Sequence, residues 1–302
     1  MNEETIISIY CICSDFCRKM YPIENSRSKL SNGEVMSIGM LSALYFEGNI
    51  SKARDFCIFS NLFSQMISRE ELTRRILRFP ESFWVAMCSI LARKAKNQYK
   101  KEYIIDSFPL PFCHPCRSKL CRLATGKEFL GYCASKKMYY FGMKAHLMVN
   151  KLGQLIELRL TPASIADVHA LDFMEFKLPK NSILYGDKAY NCYWRESLLK
   201  RKKNIRVIPH RKKNMKRQHS VSDARNIKKH RKRVETAISR IIRKFPRAFH
   251  VRTFWGFIVR VIMCSIVTLW GYSTISYRKE HSFSNHSLPI AKLCATLCFK
   301  KP

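Results

Sequence analysis

The sequence predicts an α/β fold, a sheet with helices on its faces, preceded by an all-helical region. Two observations carry this. From residue 103 onward, strand-like runs alternate with segments of helical period, in the order strand, hairpin, helix, strand, helix, strand, helix. The first hundred residues, by contrast, read as helical throughout. With 302 residues, 47% of them hydrophobic, the chain can bury one large core or two unequal ones.

The elements follow in order. SNGEVMSIGMLSALYFEGN opens with Ser31 and Glu34 at capping-box spacing and closes at Gly48. SKARDFCIFSNLF reads as a second helix. SREELTRRILRF repeats the capping signal with Ser68 and Glu71, Pro80 breaks the pattern, and ESFWVAMCSILARKAKN forms a further helix. Short helices joined by tight turns suit a helix-turn-helix DNA reader, and equally a small bundle packed on the main domain. YIIDS is then a short strand ending in an acid. MYYFGMKAHLMVN and QLIELRLTP are two strands joined through KLG as a hairpin. ADVHALDFMEFKL has helical spacing, SILYGD is a strand ending in an acid, YNCYWRESLLKR a helix and IRVIPH a strand. Helices cover 223 to 244 and about 254 to 274, and the tail from 277 has no clear period. The expected domains are a helical region over 1–100, a catalytic domain over 101–276, and a C-terminal tail over 277–302 that fits a partly disordered segment.

Charge narrows the partners. The chain carries 55 Lys plus Arg against 22 Asp plus Glu, a formal net charge of +33. Such a surplus repels itself in a compact state and calls for a polyanion, of which nucleic acid is the first choice. Membrane binding is disfavoured. The apolar stretch VIMCSIVTLWGY is too short to span a bilayer and reads as a buried helix. The N-terminus MNEETIISIY begins acidic, unlike a signal peptide, and 13 cysteines fit free thiols in a reducing cytoplasm better than a disulfide framework.

Three acids are candidates for chemistry. Asp106 ends the YIIDS run and Asp187 ends SILYGD, and ligands of α/β sheets sit at such strand ends. Each could instead cap the segment that follows. Glu235 stands in the basic run RNIKKHRKRVETAISRIIRK, about 100° around the helix from the apolar stripe of Val234, Ile238 and Ile241, at the edge of the buried face. Its plain alternative is an exposed ion pair with Arg231, worth about 0.3–0.5 kcal/mol. Separated carboxylates suit hard divalent cations such as Mg²⁺. Two ions about 3.5–4 Å apart can clamp the attacking and leaving oxygens of a phosphodiester. From Arg201 to Arg233, fifteen residues are Lys or Arg and only Asp223 is acidic, which would draw a polyanion to a negative site.

These segments resemble a known family. IDSFPLP, YFGMKAHLMVNKLGQLIELRLTPAS, ADVHAL, ILYGDKAY and HRKRVETAISRI come in the order seen in bacterial insertion-sequence transposases of the DDE type, most like insertion sequence family 982. The likeness covers about residues 103 to 275. It implies a ribonuclease H-like mixed sheet and a triad of Asp106, Asp187 and Glu235 holding two Mg²⁺ ions, with Mn²⁺ as substitute. It also implies DNA cleavage at the element's terminal inverted repeats, followed by attack of the freed 3′-hydroxyl on target DNA. A homodimer is expected because two element ends must be joined, and a bacterial cytoplasmic protein that associates with the nucleoid when bound to DNA. The alternatives are a nuclease of the same fold that cuts without joining, and an inactive DNA-binding remnant.

Further residues carry weaker signals. Lys144 and His146 share a strand face that could line the crevice near Asp106, or be an ordinary polar hairpin face. Asp167 opens ADVHAL as a helix cap or approaches the crevice. Lys188, Arg231 and Arg233 are candidate DNA phosphate contacts. Arg211, Lys212 and Lys213 lie in a basic arm that would order on DNA or stay a solvated loop. Cys113, Cys116 and Cys121 with His114 offer zinc-type ligands, but without a clear fourth partner they read as an incidental cysteine-rich loop. ATGKEF lacks the glycine and the Ser or Thr of a phosphate loop, so no nucleotide cofactor is expected.

Overall fold

The structure, a computed structural model, describes residues 3–22, 24, 27–97, 101–134, 136–246 and 248–277. Within helices, backbone alone is described for 94–97, 228–235, 237 and 270–277. The described chain forms two compact units. One comprises Met1–Leu91 with the chain from Lys244 on, the other Ala92–Arg243.

The first unit is helical. It holds α1 (Glu3–Met20), α2 (Asn32–Tyr45), α3 (Ile50–Phe59), α4 (Arg69–Arg78), most of α5 (Glu81–Asn97) and, far along the chain, α9 (Phe254–Tyr277). Helix α2 is its axis: α1, α3, α4 and α9 all pack on it. Its sequence is apolar or small on every side, and residues from Asn32 to Ala43 are almost all buried. Ser31 closes the capping box, its Oγ accepting from Glu34 N at 3.2 Å while its own amide donates to Glu34 Oε2 at 2.6 Å. Ser68 caps α4 by its Oγ accepting from Glu71 N at 3.1 Å, without the return bond, since the Glu71 carboxylate pairs with Arg74. At the other end of α2, Glu47 and Gly48 take positive φ and turn the chain into α3.

Helix α9 groups here and not with the domain expected to span 101–276. Its run Phe257–Leu269 is buried almost without a break, because a helix that is apolar all round needs cover on all sides. Packing with α2 and α4 supplies it, aided by the Trp255 indole donating to Leu77 O at 3.0 Å and Arg260 donating to Gly48 O. No described helix is long and apolar enough to cross a membrane. The tail expected to lack fixed structure lies, from residue 278, outside the described residues.

The second unit is a mixed sheet between helices. Its strands are β1 (Glu102–Cys113), β2 (Leu130–Cys133), β3 (Met138–Asn150), β4 (Leu155–Pro162), β5 (Ser182–Gly186) and β6 (Ile205–Pro209), with α6 (Ala170–Phe173), α7 (Tyr193–Lys203) and α8 (Val221–Ile242) between and after them. The order is β2-β3-β1-β5-β6, with β4 also on β3. β1, β3 and β4 form an antiparallel meander, and β5 and β6 extend it in parallel with β1. The β3–β4 hairpin turns through Gly153 at φ 81°, tied by Asn150 and Gln154.

Side-chain alternation assigns the two faces. Tyr103, Ile105, Met148, Leu184 and Val207 point to one side, where they form a core with Leu171, Met174, Phe176 and Leu199 beneath α6 and α7. Residues one register step away, Ile104, Tyr185 and Arg206, occupy the opposite face. Helix α8 packs there: Asp223 in its first turn binds the Arg206 guanidinium at 3.1 and 3.2 Å.

Three sequence expectations change. YIIDS is not a short strand closed by its acid; β1 continues through Pro109 and Pro111 to Cys113 because its outer half keeps pairing with β3. ADVHALDFMEFKL makes only a 3-10 turn and the four-residue α6. Beyond it, the Glu157 carboxylate accepts from the amides of Glu175 and Phe176 and holds the chain in an irregular turn, with Phe176 at φ 49°, overriding its helical period. The short β2, with Gly131 passing too close to Ala163 for any Cβ, adds a strand that the sequence pattern does not mark.

Leu184, fully buried at the centre of the rear core, tests this packing. Leu184→Ala is expected to cost about 2–5 kcal/mol of stability, read from urea unfolding of the full chain.

Candidate active site

The site begins with a register. β1 and β5 run parallel and pair from Glu102 with Ile183 to Ile105 with Gly186. There β5 ends, and the chain enters a 3-10 turn over Lys188–Tyr190. One residue beyond each end of this ladder come Asp106 and Asp187, so the register sets the two residues at adjacent strand ends. Neighbouring strands lie about 4.8 Å apart and in-register side chains share a face. That face is the one bearing Ile104 and Tyr185, against which α8 packs. Gly186 permits the approach: a Cβ there would come within 3.2 Å of both Ile105 Cγ2 and the Tyr190 side chain.

The capping alternatives are not what these acids do. Asp187 occupies the cap position of the 3-10 turn but makes no side-chain hydrogen bond to it, and it is exposed. Asp106 is half-buried in mid-strand, its Oδ1 accepting from the amide of Ser107 at 2.8 Å. Glu235 lies on α8, so its helix packs on the face that carries both aspartates. The Glu235 side chain, with those of Arg231 and Arg233, lies outside the described residues. Among the described residues no group of three His, Cys, Asp or Glu is placed to hold a metal ion. What they supply is a pair of hard oxygen donors at a strand end, the donor type that divalent cations of the Mg²⁺ class take.

Behind this pair, on the opposite face, lies a polar cluster that the sequence showed only in part. Asp167 reaches back to β1 and β3, its Oδ1 accepting from Ser107 Oγ at 3.0 Å and pairing with Lys144 Nζ at 3.0 Å. Lys144 also donates to Ile165 O at 2.8 Å. Tyr190 is buried beside them; among the described residues its hydroxyl makes no well-formed hydrogen bond, and the Ser107 side chain is the group within bonding reach. Burial first, then the charges of Asp167, Asp106 and Asp187, push this phenol well above its ordinary pKa and keep it protonated, with the nearby Ser107 opposing.

Lys144 and His146 therefore do not line the crevice of Asp106. They share a face, as alternation predicts, but the register pairs His146 with Ser107 and Asp106 with Leu147, which puts them on the other side of the sheet. His146 is fully buried, its Nε2 2.9 Å from Thr161 Oγ1, and is closed to DNA. Lys144 is engaged by Asp167. Lys188 is exposed beside Asp187.

The basic arm after β6 is a braced loop. Gln218 Nε2 donates to the carbonyls of Lys212, Lys213 and Met215, and the guanidinium groups of Arg211 and Arg217 each lie 4.9 Å from the Tyr193 ring. Arg211 is turned inward as well, paired with Glu196 with only 7% of its side chain exposed, so it is not available as a phosphate contact. Lys212 and Lys213 remain exposed at the loop's tip. In the cysteine-rich segment His114 Nδ1 lies 3.0 Å from Cys116 Sγ, and burial with the neighbouring Cys121 and Cys116 thiols pushes Cys113 up to about 11. No described group there is placed to hold zinc.

The unit thus carries two acids at the ends of its central parallel strands, with a strongly basic helix packed on that face of the sheet. Residues 96–253, just over half of the sequence, match the transposase DDE domain family, and the chain belongs to that family. Among curated proteins none matches the chain. Family membership supports a transposase function and implies a DNA substrate.

Buried His146 sets a pH dependence. Burial chiefly lowers it to about 4, with the Lys144 charge adding to this and Asp167 opposing it. The unfolded chain, near 6.5, binds the proton first, so stability is full above pH about 6.5 and falls as pH drops toward 4. The loss is on the order of 3 kcal/mol, and His146→Gln should flatten the slope between about pH 5 and 6.5 in denaturant titrations.

Proposed function

We propose that this chain is a metal-dependent transposase that cuts DNA at the ends of its element and joins the freed 3′-hydroxyl to target DNA. The observation that supports the reading is that the β1–β5 ladder ends one residue before Asp106 and Asp187, within a matched DDE domain. Asp106 and Asp187, completed by Glu235 from α8, would hold two Mg²⁺ ions, or Mn²⁺ in their place. Bound there, the ions supply charge stabilisation at the attacking and leaving oxygens of the phosphodiester. The protein's own contribution is to fix three carboxylates on a rigid sheet and one long helix, and to guide the DNA with exposed cations: Lys188 next to Asp187, Lys212 and Lys213 on the braced loop, and Arg231 and Arg233 on α8.

The strand order supports a ribonuclease H-like fold. An antiparallel meander of β1, β3 and β4, extended by parallel β5 and β6, is compatible with it, and the sequence motifs favour insertion sequence family 982 within the DDE class. The N-terminal helices, wrapped around α2, are proposed to contribute DNA contacts, and a homodimer would hold the two terminal inverted repeats.

DNA ends carrying inverted repeats of the kind expected to flank the reading frame would serve as the assay substrate. Asp187→Asn and Glu235→Gln should each reduce Mg²⁺-dependent cleavage by more than about 100-fold, beyond the loss typical of an outer-shell partner, with DNA affinity retained in gel-shift titrations. A wild-type chain that binds these ends but never cuts them with Mg²⁺ or Mn²⁺ leaves only a DNA-binding protein. Cutting without strand transfer from a pre-cut end leaves a nuclease.

Charge removal at the loop tip has a separate signature. Lys212→Ala with Lys213→Ala should weaken DNA binding evenly across sequences and lower the slope of log affinity against log salt by about 0.9 for each phosphate left unneutralised.

A further inference from the structure

Resting on the reading of Asp106 and Asp187 as metal ligands, we infer that Asp167 is a positioning residue that anchors both of them from the far side of the sheet. Each aspartate is tied to the rear cluster by a close neighbour. Ser107, next to Asp106, holds that carboxylate with its amide at 2.8 Å and reaches Asp167 through its hydroxyl at 3.0 Å. Tyr190, which ends the turn begun at Asp187, is 1% exposed, and that turn packs against the turn opened by Asp167.

The buried Tyr190 hydroxyl has the Ser107 hydroxyl within bonding reach, the same hydroxyl that donates to Asp167 at 3.0 Å. Lys144 holds Asp167 against β3, paired at 3.0 Å and bound to Ile165 O. Strand β1 beside Asp106 no longer has β5 as its neighbour, and the turn after Asp187 has left the sheet. Both acids thus sit where the ladder no longer fixes the backbone; Asp167 bonds the β1 segment through Ser107, and its own turn packs against the turn after Asp187. Outer-shell partners of this kind are worth about 10–100-fold in metal affinity.

The test is Mn²⁺ binding to the full chain, followed by the electron paramagnetic resonance signal of free Mn²⁺, alongside thermal unfolding. Asp167→Asn and Ser107→Ala are each expected to weaken Mn²⁺ binding about 10–100-fold at temperatures where the chain stays folded. The double variant should be no weaker than Asp167→Asn alone, because both act through one hydrogen bond. Tyr190→Phe, which keeps the ring in place, should weaken binding while the melting temperature holds or rises. Lys144→Met in the Asp167→Asn background restores stability lost to an unpaired lysine but not the affinity. Wild-type Mn²⁺ affinity in Asp167→Asn, or additive losses in the double variant, overturns the anchor. Asp106→Asn is the control: if it binds Mn²⁺ like wild type, the metal-site reading fails, whereas loss there with no loss in the rear-face variants defeats this inference alone.

Discussion

The parallel pairing of β1 with β5 is the constraint on which the rest depends. Its ladder stops at Ile105 and Gly186, and the next residue on each strand is an aspartate. Two carboxylates at adjacent strand ends would repel, though water weakens this where a side chain is exposed, as Asp187 is. An apolar rear core holds the strands in that register regardless, with Tyr103, Ile105, Leu184 and Val207 packed under α6 and α7. Slipping by one residue would turn this row of side chains toward the opposite face and the aspartates into the core. Burial of the rear face therefore enforces an unfavourable meeting of charges on the front.

Gly186 and Tyr190 complete the arrangement at the point where the strands part. The glycine leaves no Cβ between β1 and the turn, and the tyrosine ring fills the space behind it. A sheet edge that opens just where two acids emerge gives both a rigid base and an accessible mouth. The basic residues around it divide into two kinds. Arg206, Arg211 and Arg217 serve the fold, through Asp223, Glu196 and the Tyr193 ring. Lys188, Lys212 and Lys213 face outward and account for part of the surplus positive charge. Net charge alone does not separate these uses; geometry does.

The helical unit shows the same division between composition and placement. α9 follows the sheet in sequence yet belongs with α2 and α4, because its all-round apolar surface needs a helical surround and α2, itself buried on nearly every side, is the element that provides one. Chain order suggested one catalytic domain through residue 276, but the demand for burial determined which unit the last helix joined.

Local signals were readable wherever neighbouring residues in sequence settle the outcome. The caps at Ser31 and Ser68, the β3–β4 hairpin, β5, α7, β6 and the span of α8 all follow from side-chain periods, cap chemistry and turn residues, and the order of the acid-bearing motifs pointed to the family. Only the tertiary structure decided what depends on register and face: that β1 runs on past Asp106, that His146 and Lys144 lie behind the sheet, that Arg211 turns inward, and that Ser107, Asp167 and Tyr190 meet. Strand pairing joins residues distant in sequence, and with a side-chain period of two a single register step chooses the face. That choice is made by the burial of the whole sheet, a sum over many packed side chains that no local stretch of sequence contains.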